Sequence, residues 1–172
     1  MGVLTVARLT KEFFAAPATE LAPALLGKLL CRRVGEEILR VPVTETECYF
    51  GEEDTACHAH RGLTPRTATL YREGGAAYVY LCYGIHDLLN VVTGPAGHPE
   101  AVLIRGVEGT AGPGRVTKRL QIHRTLNGVD LTLSEELWLE DGPSPAFDAL
   151  PRVGIGYASP EDQARLWRFV AK

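Results

Sequence analysis

Two glutamates two residues apart are the side chains of this sequence best suited to acid–base chemistry. They lie in the segment VPVTETECY at residues 41–49, whose alternation predicts a β-strand. Since alternate side chains of a strand share a face, we expect one face to carry Val41, Val43, Glu45, Glu47 and Tyr49. A carboxylate forced against apolar surroundings acquires a raised pKa, and such groups cluster at active sites. An edge strand whose glutamates face water explains this segment alone at least as well.

Aromatic side chains form a second group with possible chemistry. The set comprises Tyr49, His58, Tyr78, Tyr80 and Tyr83. Tyr78 and Tyr80 share a face of a predicted strand, and Tyr83 follows it at the tip of a hairpin, YGIHD. Rings that sandwich a flat base, with polar atoms at its edge, are what a pocket for an extrahelical base requires. A bulky side chain at a tip can fill the gap that such a base leaves. For any single tyrosine, packing in the core is the competing interpretation.

Arg105 and Asn90 are polar residues inside apolar predicted strands, LIRG and LLNVV. Each needs a hydrogen-bond partner if it is buried. Arg105 is expected to pair with Glu45 or Glu47 or to hold a water molecule. A purely structural ion pair fits the same spacing.

A basic segment follows these strands. Gly112-Pro113-Gly114 is predicted to open a helix, RVTKRLQIHRTL, which Asn127-Gly128 ends. On such a helix Arg115, Lys118 and Arg119 share one face, and the helix N-terminus presents N–H groups suited to a phosphate. This arrangement favours docking on a DNA backbone. A solvated helix face without a ligand explains the pattern equally well.

Composition narrows the class of protein. A chain of 172 residues with 45% hydrophobic residues suits one compact domain. The net charge of −3 and the isoelectric point near 6.0 are not those of a typical nucleic-acid-binding protein. However, residues 58–125 hold eight Arg or Lys against four acids, so one face can be basic. A mixed solvated surface is the alternative.

Several classes are disfavoured. No apolar run reaches the roughly 18 residues of a membrane helix, and the N-terminus lacks the pattern of a signal peptide. We therefore expect a soluble cytoplasmic protein. The four cysteines form no C-x-x-C pair and are expected to be reduced thiols. His58 and His60 beside Cys57 lack a second ligand pair, so we expect neither a metal nor a cofactor.

The pattern of elements predicts an α+β fold. A helix is expected within residues 18–30, with Thr19 as its cap. Strands are expected at residues 29–34, 38–50, 77–82, 88–93 and 101–107, with an irregular segment at 51–72. The tail contains short pieces, ELWLE and RVGIGYA, then a helix from Ser159 and a last strand near WRFV. Strands joined by short turns favour an antiparallel sheet, and the order of elements does not suit a doubly wound fold.

Together these segments resemble the alkyladenine (3-methylpurine) DNA glycosylase family over about residues 13–170. The resemblance is carried, in the family's order, by ALLGKLLCRR, VTETECYFGEEDTACHAHRGLTPR, AYVYLCYGIHDLLNVV, AVLIRG, GPGRVTKRL and RVGIG. The order E-T-E-x-Y-x-G, D-x-x-x-H and Y-V-Y-x-x-Y-G is the specific part. Cys48 and Cys57 depart from it, because small residues such as alanine are usual there.

The resemblance implies a role for individual residues. Glu47 would be the general base that activates a water, and Arg105 would help to place that water and the flipped nucleotide. Tyr49 and His58 would stack on one side of the base and Tyr80 on the other, with His58 also bonding the base edge. Three further roles are implied: Asn90 near the purine 2-position, Leu103 as pocket lining and Tyr83 as the intercalating wedge. Arg115, Lys118 and Arg119 are expected on the DNA backbone.

The implied protein is a single DNA glycosylase domain spanning residues 1–172, with a curved antiparallel sheet flanked by helices. It would act as a monomer, without metal or cofactor, on double-stranded DNA containing damaged purines. Alkylated and deaminated purines such as 3-methyladenine, hypoxanthine and ethenoadenine are the expected lesions. None of the four lysines lies in the pocket segments, so we expect hydrolysis by water without a Schiff-base lyase step, with the N-terminal amine as the alternative nucleophile.

Two other functions stay open on the sequence. A non-catalytic nucleic-acid-binding module would use the same basic face and would tolerate Glu47→Gln. A glycosidase acting on free nucleosides would need neither Tyr83 nor the basic helix.

Overall fold

The computed structural model describes residues 7–172, which contain four α-helices and nine β-strands. The helices are α1 (Lys11–Phe14), α2 (Ala18–Ala24), α3 (Pro113–Leu120) and α4 (Pro160–Ala164). The strands are β1 (Leu29–Val34), β2 (Glu37–Phe50), β3 (Ala77–Cys82), β4 (His86–Val92), β5 (Glu100–Val107), β6 (Thr110–Ala111), β7 (Leu137–Glu140), β8 (Phe147–Leu150) and β9 (Arg168–Ala171). Short 3₁₀ helices occupy His58–Arg61, Ala68–Tyr71 and Arg124–Leu126.

All strand pairings are antiparallel, and the main path of the sheet runs β3-β4-β5-β2-β1-β7. The remaining strands attach at the sides: β6 pairs with β5, and β9 joins β8 to β2. This confirms the predicted α+β fold with a curved antiparallel sheet flanked by helices. The 14-residue strand β2 is its centre, because its first half pairs with β1 and its second half with β5 and β9.

The main core lies on one face of this sheet, and smaller hydrophobic clusters that include Tyr49 lie on the other. Among its fully buried side chains are Phe14, Leu25, Leu30, Leu89, Ile104 and Leu120. Thr46 points to this side, where its hydroxyl donates to the carbonyl of Ala22 in α2 over 2.6 Å. Glu47, the next residue, therefore faces the opposite side of the sheet.

The expected face of β2 is wrong in one respect. Val41 and Val43 belong to the main core together with Cys48, whereas Tyr49 packs in a different cluster on the other face. The valines are thus not on the face of the glutamates. The pairing of β2 with β5 shifts register around Glu45, and such an irregularity reverses the alternation of side chains. A Cβ on Gly106 would lie only 3.0 Å from Oγ1 of Thr44, so glycine allows the close approach here.

Helix boundaries also differ from the prediction. α2 starts at Ala18 after Pro17, so Thr19 lies inside the helix and does not cap it. α3 stops at Leu120, well before Asn127, because Gln121 adopts the left-handed conformation with φ 51°. Residues 151–158 form turns without helix or strand.

Four free cysteines are present, and Cys31, Cys48 and Cys57 are buried. Burial raises the pKa of the Cys31 and Cys57 thiols to about 12. Within residues 7–172 no helix is long and apolar enough to cross a membrane.

Candidate active site

Glu47 lies beside a cleft of about 890 Å³ on the face of the sheet opposite the main core. Its side chain is fully buried, with 0% exposure. Strand β2 places it there, and strand β5 places Leu103 and Arg105 along the same cleft. The cleft is also lined by Tyr49, His58, Tyr80, Tyr83, Val153 and Tyr157. A buried carboxylate of this kind needs partners to be tolerated.

The carboxylate of Glu47 has three such partners. The Tyr49 hydroxyl donates to Oε1 over 2.9 Å, and the Val153 N–H donates to Oε2 over 2.6 Å. Nη1 of Arg105 lies 3.7 Å from Oε1. Burial raises the pKa of Glu47, and Arg105, the Val153 N–H and the Tyr49 hydroxyl oppose this rise. Burial thus favours the neutral form of this carboxyl group, and its partners favour the charged form.

Arg105 lies between the two glutamates of β2. Its Nε is 3.5 Å from Oε2 of Glu45, so it contacts Glu45 as well as Glu47. Arg168 approaches the other oxygen of Glu45 at 3.3 Å. Both pairings that the sequence left open for Arg105 are present, although its buried Nε lacks a hydrogen bond. The result is a chain of alternating charges with Glu47 at its buried end.

The aromatic residues gather beside Glu47. His58 and Tyr80 are in edge-to-face contact, with ring centroids 4.3 Å apart and an interplanar angle of 72°. Nδ1 of His58 lies 3.2 Å from the Tyr78 hydroxyl. Burial, and next the charge of Arg66, lowers the pKa of His58 to about 4, so this ring is neutral at neutral pH. The contact leaves no room for a base between His58 and Tyr80 in this structure, so the expected sandwich is not formed in advance.

Asn90 and Leu103 face each other across strands β4 and β5. Asn90 is 4% exposed, and its Nδ2 donates to the Tyr78 carbonyl over 3.3 Å. It borders a cavity of about 40 Å³ next to Tyr49, His58 and Tyr80, which is far less space than a purine needs. A base would enter this region only if the aromatic side chains moved.

Tyr83 occupies the predicted position at the tip of the β3–β4 hairpin. Its side chain is 88% exposed, and its φ is 51°, a left-handed conformation uncommon for an aromatic residue. Gly84 follows with φ 67°, and positive φ at both central residues is typical of a type I′ turn. At the base of the hairpin the His86 ring lies so close to Gly114 that a Cβ there would be 2.7 Å from it. Helix α3 thus supports the hairpin.

Helix α3 presents the expected basic face. Arg115, Lys118 and Arg119 are exposed, while Val116, Thr117 and Leu120 are buried. The expected phosphate site at the helix N-terminus is only partly available. The Gly112 N–H donates to the Arg105 carbonyl over 2.9 Å, and Pro113 has no N–H.

The structure adds residues that the sequence reasoning did not single out. Val153 reaches Glu47 through its backbone, Tyr157 lines the mouth of the cleft, and Arg152 forms a buried ion pair with Asp54. Their signal in the sequence was the RVGIG motif, which marks the segment but not its contacts. Across residues 7–172 no three His, Cys, Asp or Glu side chains converge as metal ligands would.

The chain is similar to known proteins over almost all of its length. The family described as methylpurine-DNA glycosylase (MPG) matches residues 12–110 and 108–172. A relative from Psychrobacter cryohalolentis is 45% identical, covering 86% of this chain and 84% of its own. Relatives from Borreliella burgdorferi (43% identical; 94% and 95% covered) and Methanocella arvoryzae (40%; 95% and 92%) are similar. All three carry the provisional name 3-methyladenine DNA glycosylase. The chain therefore belongs to the methylpurine-DNA glycosylase family.

Proposed function

We propose that this DNA repair glycosylase flips a damaged purine out of duplex DNA and hydrolyses its N-glycosidic bond with a water activated by Glu47. The observation that carries the proposal is the Glu47 carboxylate, which is 0% exposed, held by two hydrogen bonds and bordered by an open cleft. Burial of such a carboxylate opposes folding, and buried carboxylates with shifted pKa values cluster at active sites.

The geometry around Glu47 suits activation of a water. Nη1 of Arg105 and Oε1 of Glu47 are 3.7 Å apart at the edge of the cleft, and because Glu47 is 0% exposed, a water reaches Oε1 only when the side chains over it move. Such a water would attack C1′ of the sugar, its proton would pass to Glu47, and the bonding electrons would leave with the base. The negative charge of Glu47 also stabilises the oxocarbenium-like transition state.

The aromatic surroundings favour an electron-poor base. A purine alkylated at N3 or N7 is cationic, so it is attracted to the faces of Tyr49 and Tyr80 and is already a good leaving group. Neutral His58 does not repel it. Since His58 and Tyr80 touch, entry of the base requires one of these rings to move. Alkylated purines such as 3-methyladenine are therefore the first substrates to test, followed by hypoxanthine and ethenoadenine.

The surface around the cleft suits a duplex. Tyr83 projects as a wedge that can fill the space of the flipped base, and the basic face of α3 can contact phosphates. The lysines, Lys11, Lys28, Lys118 and Lys172, all lie outside the residues that line the cleft. This supports a monofunctional enzyme that uses water and not a lysine amine.

The test is single-turnover excision from duplexes that each carry one lesion. Glu47→Gln should lower the rate of base release at least about 100-fold while binding of lesion DNA persists. Glu45→Gln is the matched control, because Glu45 lies on the same strand and also contacts Arg105. It should lose much less activity.

Three outcomes would contradict the proposal. Full excision by Glu47→Gln would remove the assigned base. Tight binding of lesion DNA without base release by the native protein would favour a binding module. Equal activity on free nucleosides and duplexes would favour a nucleosidase.

A further inference from the structure

A buried ion pair lies directly behind the candidate active site. The side chains of Arg152 and Asp54 are 0% and 2% exposed. Their contact is bidentate, with Nη1 2.7 Å from Oδ2 and Nη2 3.0 Å from Oδ1. Burial of two charges is unfavourable unless the geometry is good and the other polar atoms are satisfied. A buried ion pair of this kind is expected to hold neighbouring groups in place.

Asp54 fixes the chain on both sides of the turn that follows β2. Besides Arg152, its carboxylate accepts the N–H of Phe50 and the N–H of Ala56, each over 3.0 Å. Phe50 ends β2, and Ala56 leads to His58. The four bonds use both oxygens fully, so the orientation of the carboxylate toward Arg152 is fixed.

Arg152 in turn connects three parts of the protein. Its Nη1 donates to the Cys48 carbonyl of β2 over 2.9 Å, and its Nη2 donates to the Asp162 carbonyl of α4 over 3.3 Å. Its guanidinium carbon lies 5.0 Å from the ring centroids of both Tyr49 and Trp167. These contacts fix the guanidinium against the ring of Tyr49.

Both hydrogen-bond donors of Glu47 therefore depend on Arg152. Tyr49, whose hydroxyl donates to Oε1, carries the ring against which Arg152 is placed. Val153, whose N–H donates to Oε2, is the residue that follows Arg152 in a segment without helix or strand. No regular element fixes that backbone, which is held by the ion pair through Arg152 and by Nε of Arg168, a donor to the Pro151 carbonyl over 2.8 Å.

We propose that the Asp54–Arg152 ion pair is a positioning device that keeps the Tyr49 hydroxyl and the Val153 N–H on Glu47, so that Glu47 stays ionised as the base. Arg152 and Asp54 are positioning residues, because neither lines the cleft. The inference rests on the proposed role of Glu47. A purely structural pair would support folding without affecting the ionisation of Glu47.

The two roles differ in the pH dependence of catalysis. The charged and titratable groups around Glu47 are Tyr49 on β2, Arg105 on β5, Tyr80 on β3 and Arg152, with Glu45 and Arg168 beyond Arg105. Displaced donors would leave burial less opposed, and the pKa of Glu47 would rise further. The acid limb of the rate profile would then move to higher pH.

The experiment measures single-turnover release of 3-methyladenine from methylated duplex DNA across pH. The purine that leaves is cationic and needs no protonation, so the acid limb of the profile reports the ionisation of Glu47. Arg152→Met should move the limb up by about one pH unit, with a roughly tenfold loss below it and little loss on the alkaline plateau, because it removes the charge of Arg152 together with its contacts to Tyr49 and Asp54. Arg152→Lys keeps the charge but not the bidentate geometry, and should give a smaller shift in the same direction.

Arg165→Met is the matched control. Arg165 lies 4.9 Å from the same Trp167 ring and pairs with Asp162, but it contacts neither Tyr49 nor Asp54. Its acid limb should be that of the native protein. If Arg152→Met fails to fold, judged by circular dichroism, the Arg152→Lys profile decides. A native limb in either folded variant would overturn the inference. Failure of the proposed function would look different, because Glu47→Gln would then remain active.

Discussion

The hydroxyl of Tyr49 donates a 2.9 Å hydrogen bond to Oε1 of Glu47, two residues earlier on the same face of β2. Burial, and then the charge of Glu47, raises the pKa of Tyr49 well above 10. This hydroxyl therefore stays protonated and donates throughout the pH range in which Glu47 titrates. A single strand thus supplies the carboxylate and one of the groups that keep it charged.

Tyr49→Phe should move the acid limb of base release to higher pH. The substitution keeps the ring but removes a donor that lowers the pKa of Glu47. Glu47 must be ionised to act as the general base, so activity is lost as pH falls through its pKa. The rate of the variant should therefore be lowest, relative to the native protein, at acid pH. Single-turnover release of 3-methyladenine across pH measures the effect. Tyr71→Phe, which removes a hydroxyl 2.7 Å from Glu52 outside the cleft, is the control. A native acid limb for Tyr49→Phe would count against this role of the hydroxyl.

Glu47→Gln should stabilise the fold at neutral pH while it removes activity. Because the pKa of Glu47 is raised in the folded protein, ionised Glu47 opposes folding above its unfolded pKa, and this penalty disappears when pH falls below that value. The glutamine amide oxygen can accept the Val153 N–H, and its nitrogen can donate to Tyr49. Urea unfolding should show a gain of about 1 kcal/mol at neutral pH that shrinks at acid pH. A loss of stability at every pH would contradict this account.

Tyr83→Gly should stabilise the free protein and weaken its binding to lesion DNA. A left-handed conformation costs a residue with a side chain about 1–2 kcal/mol, and glycine removes part of that cost. Gln121→Gly is the matched control, since Gln121 has the same φ of 51° at the end of α3. The midpoint temperature of thermal unfolding should rise for both variants, whereas affinity for a lesion duplex should fall only for Tyr83→Gly. Equal affinity of the two variants would exclude Tyr83 as the wedge.

Arg115→Ala and Lys118→Ala should weaken binding to duplexes of any sequence. Each lost phosphate contact should reduce the slope of log affinity against log salt by about 0.9. Arg119→Ala is a less clean probe, because Nη1 of Arg119 also donates to the Glu108 carbonyl over 2.7 Å. Lys11→Ala, an exposed residue on α1, is the control, and its slope should be unchanged. Titrations at several salt concentrations provide the measurement.

Much of the fold follows from local patterns. Strands β1 to β5 have boundaries close to those expected, because each is apolar and bounded by glycines or turn residues. The reversal of faces near Glu45 was not predictable, since alternation in one strand carries no information about register with its partner. The early end of α3 at Gln121 also had no strong signal, because nothing in that residue type favours a positive φ.

The candidate site was predicted in part. Side chains on regular strands, such as Glu47, Tyr80 and Leu103, line the cleft as expected. The contacts of Val153 and Arg152 were missed, because they reach Glu47 and Asp54 from about 100 residues along the chain through turns. The contact between His58 and Tyr80 was missed as well, since the spacing of aromatic residues does not determine how far apart their rings lie.

The buried cysteines have a consequence for survival under the damage that this family repairs. Methylating agents attack thiolates much faster than thiols, and a thiol with a pKa near 12 supplies almost no thiolate at neutral pH. Cys57, which borders the cleft, is therefore held as a thiol, which is a much weaker nucleophile than a thiolate. Methylating agents, which produce the damaged bases that this family repairs, should therefore modify this sulfur only slowly.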